Sequence, residues 1–535
     1  MRRWNGWGDD TVTAHTPRKA LALLAETLGP PSPPRDAAFA DVVAKVPPSR
    51  LPERLGASTL PEVRLRHARG QSLPDWIAVR SGRIGTFPDA VATPSSVEEL
   101  RTVLAFAAEA GAVVIPWGGG TSVAGHVNPE PWGPPALTVD MTRLCRLLRL
   151  DETSQLATFE AGVAGPDVEA RLRAHGFTLG HFPQSFELST LGGWIATRSS
   201  GQQSLGYGRI ERLFAGGAVE TPKGTLALPC FPASAAGPDL RELVLGSEGR
   251  IGIVTEATVR VSRLPEREDF HGVFFASWDE GLAALRELLQ TRLPLSMLRL
   301  SGPEETRTSL LLAGHERLIG ALERLLSWRG AGTEKCLLIA ALTGAERLVV
   351  ASRKELLAIS KRHGGIHVGR AFGTAFKKSR FRAPYLRNDL WEKGWAVDTL
   401  ETAVPWSRVP ATLAAVERAI SGALEPAGEK VHVFTHLSHA YLDGSSLYTT
   451  YLFRLAPDPD QTLDRWRSLK TAASRAIVAH GGTISHQHGV GVDHAPYLEA
   501  EKGALGLSTI GAVLHHLDPE GRMNPGKLLR KEEPR

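Results

Sequence analysis

Near the end of this chain two histidines alternate with a glutamine and run into glycines, in Ser485-His486-Gln487-His488-Gly489-Val490-Gly491. Imidazole changes charge near neutral pH and also ligates metals, so the segment suits proton transfer, metal binding, or a strand end with two structural histidines. Along an extended segment alternate side chains share a face, which places His486 and His488 together and Gln487 opposite. A second signal is "VVIPWGGGTSVAGH", Val113 to His126, where a strand runs into Gly118-Gly119-Gly120 and then Thr121 and Ser122. Consecutive glycines let backbone N–H groups turn inward as an anion nest, and small hydroxyls add donors, which suits a diphosphate. No Gly-Lys-Ser/Thr follows, so this is not a P-loop, and Val123 breaks the dinucleotide fingerprint. Taken alone, the loop reads equally as a tight strand-to-helix turn.

Elements must position these groups. At 535 residues the chain exceeds what one hydrophobic core usually spans, so two or more domains are expected. The net charge of +5 is spread without a Lys/Arg block, which argues against a nucleic-acid partner. Cys145, Cys230 and Cys336 are far apart and odd in number. Neither a disulfide framework nor a zinc ribbon is read from them, and a reducing cytoplasm fits. The opening "MRRWNGWGDD" lacks the apolar region of a secretory signal. No run approaches the roughly 18 apolar residues of a membrane span. Helical periodicity in "RKALALLAETLG" and Pro-rich breaks mark residues 1–85 as a helical extension. Strands then alternate with helices over 86–264, with "SSVEELRTVLAFAAEAG" as a capped helix leading into the strand "AVVIPW". A second strand–helix block spans 265–484, and a Gly-rich tail with one helix fills 485–535.

Two further segments match the first loop in character. "FPQSFELSTLGGWIATRSSGQQSLGYGRI" (182–210) is dense in Gly, Ser and Thr around Leu191, Trp194 and Ile195, and "LVLGSEGRIGIVTEATVRV" (243–261) joins a glycine turn to an alternating strand. Three such segments within one domain read as backbone lining for a long polar ligand. In this order, with the C-terminal "LDPEGRMNPGKLL", they resemble the FAD-binding domain of the vanillyl-alcohol-oxidase (PCMH) type. The resemblance implies an α+β fold: a two-part FAD-binding domain, an α/β cap (substrate) domain with an antiparallel sheet, and the helical extension. It implies FAD held non-covalently, because covalent attachment in the family goes with a different loop sequence. The cofactor positions it implies in the first segment are Pro116, Trp117, Gly118, Gly119, Gly120, Thr121 and Ser122. In the second they are Gln184, Ser185, Phe186, Glu187, Leu188, Ser189 and Thr190, then Thr197, Arg198, Ser199 and Ser200. In the third they are Glu248, Gly249, Arg250, Ile251, Gly252, Ile253 and Val254. Gln184 stands where the family has an acidic flavin contact.

Two branches of the family compete. "WNGWG" (4–8), "STLGGWIATRSSGQQSLGYGRIERL", "PYLRNDLWEKGWAVDTLETAVPWSRV" and "SLYTTYLF" resemble the alkylglycerone-phosphate synthases, over nearly the whole chain. The alternative is an FAD-dependent oxidoreductase of the D-lactate or D-2-hydroxy-acid dehydrogenase type, many of which hold a divalent metal beside the flavin. In their pattern His436 takes the first ligand position, but Tyr448 stands for the second histidine and Gln487 for the glutamate. A neutral amide and a phenol are poor ligands for a dication, so no metal is expected. The synthase resemblance implies exchange of the acyl chain of an acylated dihydroxyacetone phosphate for a fatty alcohol through a flavin N5 adduct, without net redox change. It implies Tyr448 as the catalytic tyrosine, its phenol drawn down by cations. His486 and His488 match two of three consecutive histidines, and His181 and Arg299 match activity-linked positions. Arg387 matches a substrate-binding arginine, suited to phosphate. Trp391, Trp395 and Trp406 are candidates for a lipid path, whereas His432 and His439 receive no role. Lipid-like substrates make a peripheral membrane contact an expectation, with a homodimer as another.

Overall fold

The computed structural model describes residues 1–54, 56–313 and 316–529. The first sheet sets β2 (Ala90–Ala92), β4 (Ala136–Asp140) and β3 (Val113–Trp117) in parallel, with short β1 (Ala57–Ser58) antiparallel on the edge. Parallel neighbours need a crossover rather than a tight turn. Between β2 and β3 the chain forms the helix Val97–Glu109, whose Ser96 side chain caps the Glu99 amide at 3.1 Å.

The second sheet is antiparallel, in the order β5 (Leu147–Asp151), β6 (Leu156–Glu160), β10 (Ile253–Arg260), β8 (Phe214–Thr221) and β9 (Gly224–Leu228). The pair β7 (Phe177–Thr178) and β11 (Ser262–Arg263) lies beside it. The C-terminal tail returns to the first sheet. Met523 bridges Val114 in parallel, and the Asn524 amide donates to the Val114 carbonyl at 2.8 Å.

The cap is a seven-stranded antiparallel sheet. Its order is β15 (Ile366–His367), β12 (Arg267–Phe275), β14 (Cys336–Gly344), β13 (Leu295–Ser301), β17 (His432–Leu437), β18 (Gly444–Arg454) and β16 (Trp395–Pro405). Along β14, Leu338, Ala340 and Leu342 enter one core cluster while Leu337, Ile339 and Ala341 enter another. Both faces are therefore covered there, and the two-residue polar alternation is lost.

The N-terminal extension packs onto the cap. Helix α1 (Arg18–Leu28) buries Ala20, Leu23, Leu24 and Leu28. The "WNGWG" turn docks on α2 (Ala383–Glu392). Asn388 accepts the Trp7 amide and donates to the Trp7 carbonyl, both at 3.0 Å, and Asp389 accepts the Thr16 amide at 2.8 Å. Gly8 has φ +80° and lies against the Tyr385 ring, so a side chain there would be strained and would collide. Among the described residues no helix is long and apolar enough to cross a membrane.

Candidate functional site

One continuous cavity of about 570 Å³ runs from the glycine-rich segments across the face of the cap sheet to α1. On the first side, β3 ends at Trp117 and delivers the 118–122 loop. A Cβ on Gly119 would strike the Leu188 carbonyl, one on Gly118 the Thr190 hydroxyl, and Gly120 has φ +60°. Glycine is thus dictated by backbone contact between two lining segments as well as by the turn. Among the described residues, no amide from Gly118 to Ser122 is spent on another protein group. These unspent donors at a cavity wall fit the diphosphate of a dinucleotide such as FAD.

Pro116, Trp117, Gly118, Gly119, Gly120, Thr121 and Ser122 all line the cavity. So do Gln184, Ser185, Ser189 and Thr190, then Thr197, Ser199 and Ser200, and finally Glu248, Gly249, Gly252, Ile253 and Val254. Six of the residues expected to contact the cofactor are absent from the wall, each for a visible reason. Phe186 stacks on Phe381, ring centroids 5.0 Å apart. Glu187 accepts the Tyr385 hydroxyl at 2.9 Å. Leu188 presents its carbonyl to Gly119. Arg198 donates to the Leu245 carbonyl at 3.1 Å, and Arg250 to the Met523 carbonyl at 2.8 Å. Ile251 is a core residue. Asn524, which was not singled out beforehand, lines the wall and ties the tail to it through Glu248 O at 2.7 Å and His126 O at 3.0 Å.

The cap sheet builds the opposite wall by register. Directly paired residues on adjacent antiparallel strands share a face. Tyr448 pairs with Glu401 on β16 and His436 on β17, Thr450 with Thr399 and Phe434, and Leu452 with Val397 and His432. Three rungs result, about 7 Å apart, passing over roughly 14 Å from the Tyr448–Glu401–His436 rung to one where Leu452 and Val397 flank His432. His436 stacks on Tyr448 at 4.9 Å, and the Tyr448 hydroxyl donates to Thr399 Oγ1 at 3.2 Å. Arg299 on β13 donates to Glu305 at 2.6 Å, and Glu305 also meets His436 Nδ1 at 3.0 Å. Burial alone would raise the Glu305 pKa, but His436 and Arg299 hold it down at about 2. The structure departs from the expected chemistry of Tyr448. Burial pushes its pKa up, and the nearby cations do not reverse this, so the phenol carries its proton.

The histidine segment also departs from expectation. Residues 485–489 bend rather than extend, so strand alternation does not apply. Gln487 and His488 line the cavity, whereas His486 does not. His486 Nε2 is held by Arg209 at 2.7 Å and by the Tyr441 hydroxyl at 2.6 Å, and its ring stacks on His439 at 5.1 Å. Burial lowers the pKa of both His486 and His488, so both imidazoles are neutral at pH 7. His181 is off the wall as well. Its ring lies tilted against Trp194 with centroids 4.7 Å apart and reaches Ser199 Oγ at 3.2 Å, and burial lowers its pKa to about 3. Its two contacts that line the cavity are Trp194 and Ser199.

Arg387 lines the cavity and is half-buried, with its Nε and Nη2 atoms shielded from solvent. It lies over the Trp76 ring at 4.2 Å and donates one hydrogen bond, to Gln71 O at 2.7 Å. Its Nε and Nη2 have no partner, and burial lowers its pKa to about 10. A guanidinium with two unmet donors is an anion site waiting for its ligand. Beyond the rungs the wall becomes apolar, with Leu23 and Leu24 from α1, Leu386 and Leu390 from α2, and Leu311 and Leu312 from α3 (Pro303–Leu312, which precedes α2 in the chain). None of Trp391, Trp395 and Trp406 reaches this bore; each packs in a core cluster. His432, given no role from the sequence, does line it. Among the described residues no group of three His, Cys, Asp or Glu side chains is arranged to hold a metal ion.

Comparisons with known proteins agree with this geometry. The FAD binding domain family matches residues 88–227, and the C-terminal domain family of FAD linked oxidases matches 264–528. Alkyldihydroxyacetonephosphate synthase of Trypanosoma brucei brucei is 32% identical over 87% of this chain and 77% of its own length. That of Dictyostelium discoideum is 29% identical over 98% and 93%. A solved alkyldihydroxyacetonephosphate synthase structure superposes with a TM-score of 0.84 at 26% identity, covering 98% of both chains.

Proposed function

Because this chain belongs to the alkyldihydroxyacetonephosphate synthase family of FAD-dependent enzymes, we propose that it exchanges the acyl chain of an acylated dihydroxyacetone phosphate for a fatty alcohol, forming an ether. The observation that carries this reading is the single cavity itself. It joins an amide-lined dinucleotide channel, an arginine with two buried, unmet donor atoms, and an apolar bore. An oxidoreductase for a small hydroxy acid has no use for that bore. FAD, when bound, supplies the electron-accepting ring against which the substrate carbon reacts.

The chain's own residues then divide the work. Arg387 holds the phosphate. Arg299, fixed by Glu305, sets the polar rung on which Tyr448 stands. The Tyr448 hydroxyl turns from Thr399 Oγ1 to the neutral His488 ring, which lies edge-on to it with centroids 6.0 Å apart, and passes its proton there while its oxygen takes the proton leaving the substrate carbon. The apolar walls exclude water and align the chains. The same reading divides the polypeptide into an extension (1–85), an FAD-binding domain (86–264), a cap (265–484) and a closing segment (485–535). It includes peripheral contact with lipid, since Leu318, Leu325 and Trp328 of the helix Glu316–Trp328 stay 71%, 46% and 79% exposed.

The test mixes FAD-loaded protein with acylated dihydroxyacetone phosphate and a long-chain alcohol, without oxygen or electron acceptor. Ether product with the flavin still oxidised supports the reading. Flavin bleached by D-lactate, with no ether formed, overturns it.

A further inference from the structure

Glu401 occupies the same rung as Tyr448 and His436, yet it does not line the cavity, because the 485–489 bend covers it. Its side chain is buried. One oxygen accepts the Gln487 amide at 2.6 Å and stands 3.9 Å from His488 Nδ1. The other stands 3.6 Å from His486 Nδ1, and neither that oxygen nor that nitrogen has a hydrogen-bond partner. Both imidazole separations are longer than a hydrogen bond and within a sub-ångström shift of one. A buried carboxyl with one satisfied and one open oxygen, facing two neutral rings, is costly unless it is used.

The geometry points to Glu401 as a positioning residue that takes up the reaction's proton through His488. The inference rests on the transferase reading above. As the His488 ring accepts a proton from Tyr448 on one nitrogen, it releases the Nδ1 proton to Glu401. The ring ends neutral in its other tautomer, and the carboxylate ends as a carboxylic acid. The proton returns by the same path when the reacting carbon is reprotonated, and the alcohol's O–H proton leaves with the displaced fatty acid, so the enzyme ends each cycle as it began. The ionisable groups facing Glu401 are Tyr448 on β18, His436 on β17, Tyr441 in the β17–β18 turn, Arg209, and His486 and His488 in the tail. Burial raises the Glu401 pKa, with His488 and Arg209 opposing it. A proton therefore resides on Glu401 more readily than on an ordinary carboxylate.

Glu401→Gln keeps an acceptor for the Gln487 amide but cannot accept a proton. Expected are unchanged FAD content, a KM within about 3-fold of wild type, and a kcat reduced by roughly 100-fold or more, the usual size of a general acid–base contribution. The bend in the wild-type pH profile of kcat should vanish, and Glu401→Asp should recover part of the rate. A variant with wild-type kcat and pH profile overturns the inference. If Glu401→Gln fails to retain FAD, infrared difference spectra of the wild type decide instead. Adding acylated substrate without alcohol should raise a protonated-carboxyl band, and its absence overturns the inference. If the wild type forms no ether, it is the transferase reading that fails.

Discussion

Replacing Arg387 with methionine separates ligand binding from folding. Methionine keeps an unbranched apolar stem and removes the guanidinium. In the protein this group makes one hydrogen bond, to Gln71 O, and one ring contact, to Trp76, while Nε and Nη2 stay unmet. The losses are about 1.5–3 kcal/mol for a charged hydrogen bond and about 0.5–2 for the cation–π contact. The gain is relief of two buried donors at about 1–3 kcal/mol each. These nearly cancel, so the unfolding free energy should change by no more than about 1 kcal/mol. Binding phosphate is different. Two charge-assisted bonds at about 1.5–3 kcal/mol each are lost, giving about 3–6 kcal/mol, or roughly 10²- to 10⁴-fold in kcat/KM. The assay compares acylated dihydroxyacetone phosphate with the same ester lacking phosphate, alongside urea unfolding. A large loss confined to the phosphorylated substrate is the expected outcome. Equal losses on both substrates, or a drop in unfolding free energy beyond about 3 kcal/mol, would show that Arg387 is structural and refute the reasoning.

Two other predictions follow from the cap. Leu24→Trp should narrow the bore where α1 covers it, raising KM for long-chain alcohols while sparing short ones; a uniform effect across chain lengths would place the alcohol elsewhere. Glu305 is held at about 2, below its ordinary value, so the stability it contributes is present above about pH 4.5 and is lost as pH falls towards 2. Glu305→Gln should flatten that acid limb in urea unfolding at each pH, and an unaltered slope would contradict the Arg299–Glu305–His436 network.

The glycine segments were legible because their constraint is local. A glycine that must pass under Leu188 or turn at φ +60° leaves its mark in the sequence. The tail that closes the site was legible from its motif, although the pairing of Met523 with Val114 lies some four hundred residues apart in the chain. Tyr448, Arg299 and Arg387 do reach the cavity, but inferences about a side chain's immediate surroundings went astray. His486 and His488 look equivalent when read as a strand, but the chain bends, and Arg209 and Tyr441 claim one of them. The Tyr448 phenol looked ready to be acidified, yet burial outweighs the cations. Glu401 carries no motif at all; only the β16–β18 register places it beside Tyr448. The apolar stripe of α1 says that the helix is buried, but not that it walls a bore. Tryptophans 391, 395 and 406 went to cores because large rings fill cores as readily as tunnels.

The register of β16, β18 and β17 joins the two halves of the chemistry. A slip of one residue would turn Thr399 and Val397 away from the cavity and Glu401 away from the tail that covers it, and bring the opposite face forward. The hairpin turn between β17 and β18 also supplies His439 and Tyr441, which grip His486. One hairpin therefore sets the proton path, the polar rung and the start of the apolar bore together. The covering helix α1 is attached separately, through the "WNGWG" turn on α2. Chain selectivity can then change by substitution on α1 without disturbing the groups that move protons, whereas a change of register within the hairpin would alter both functions at once.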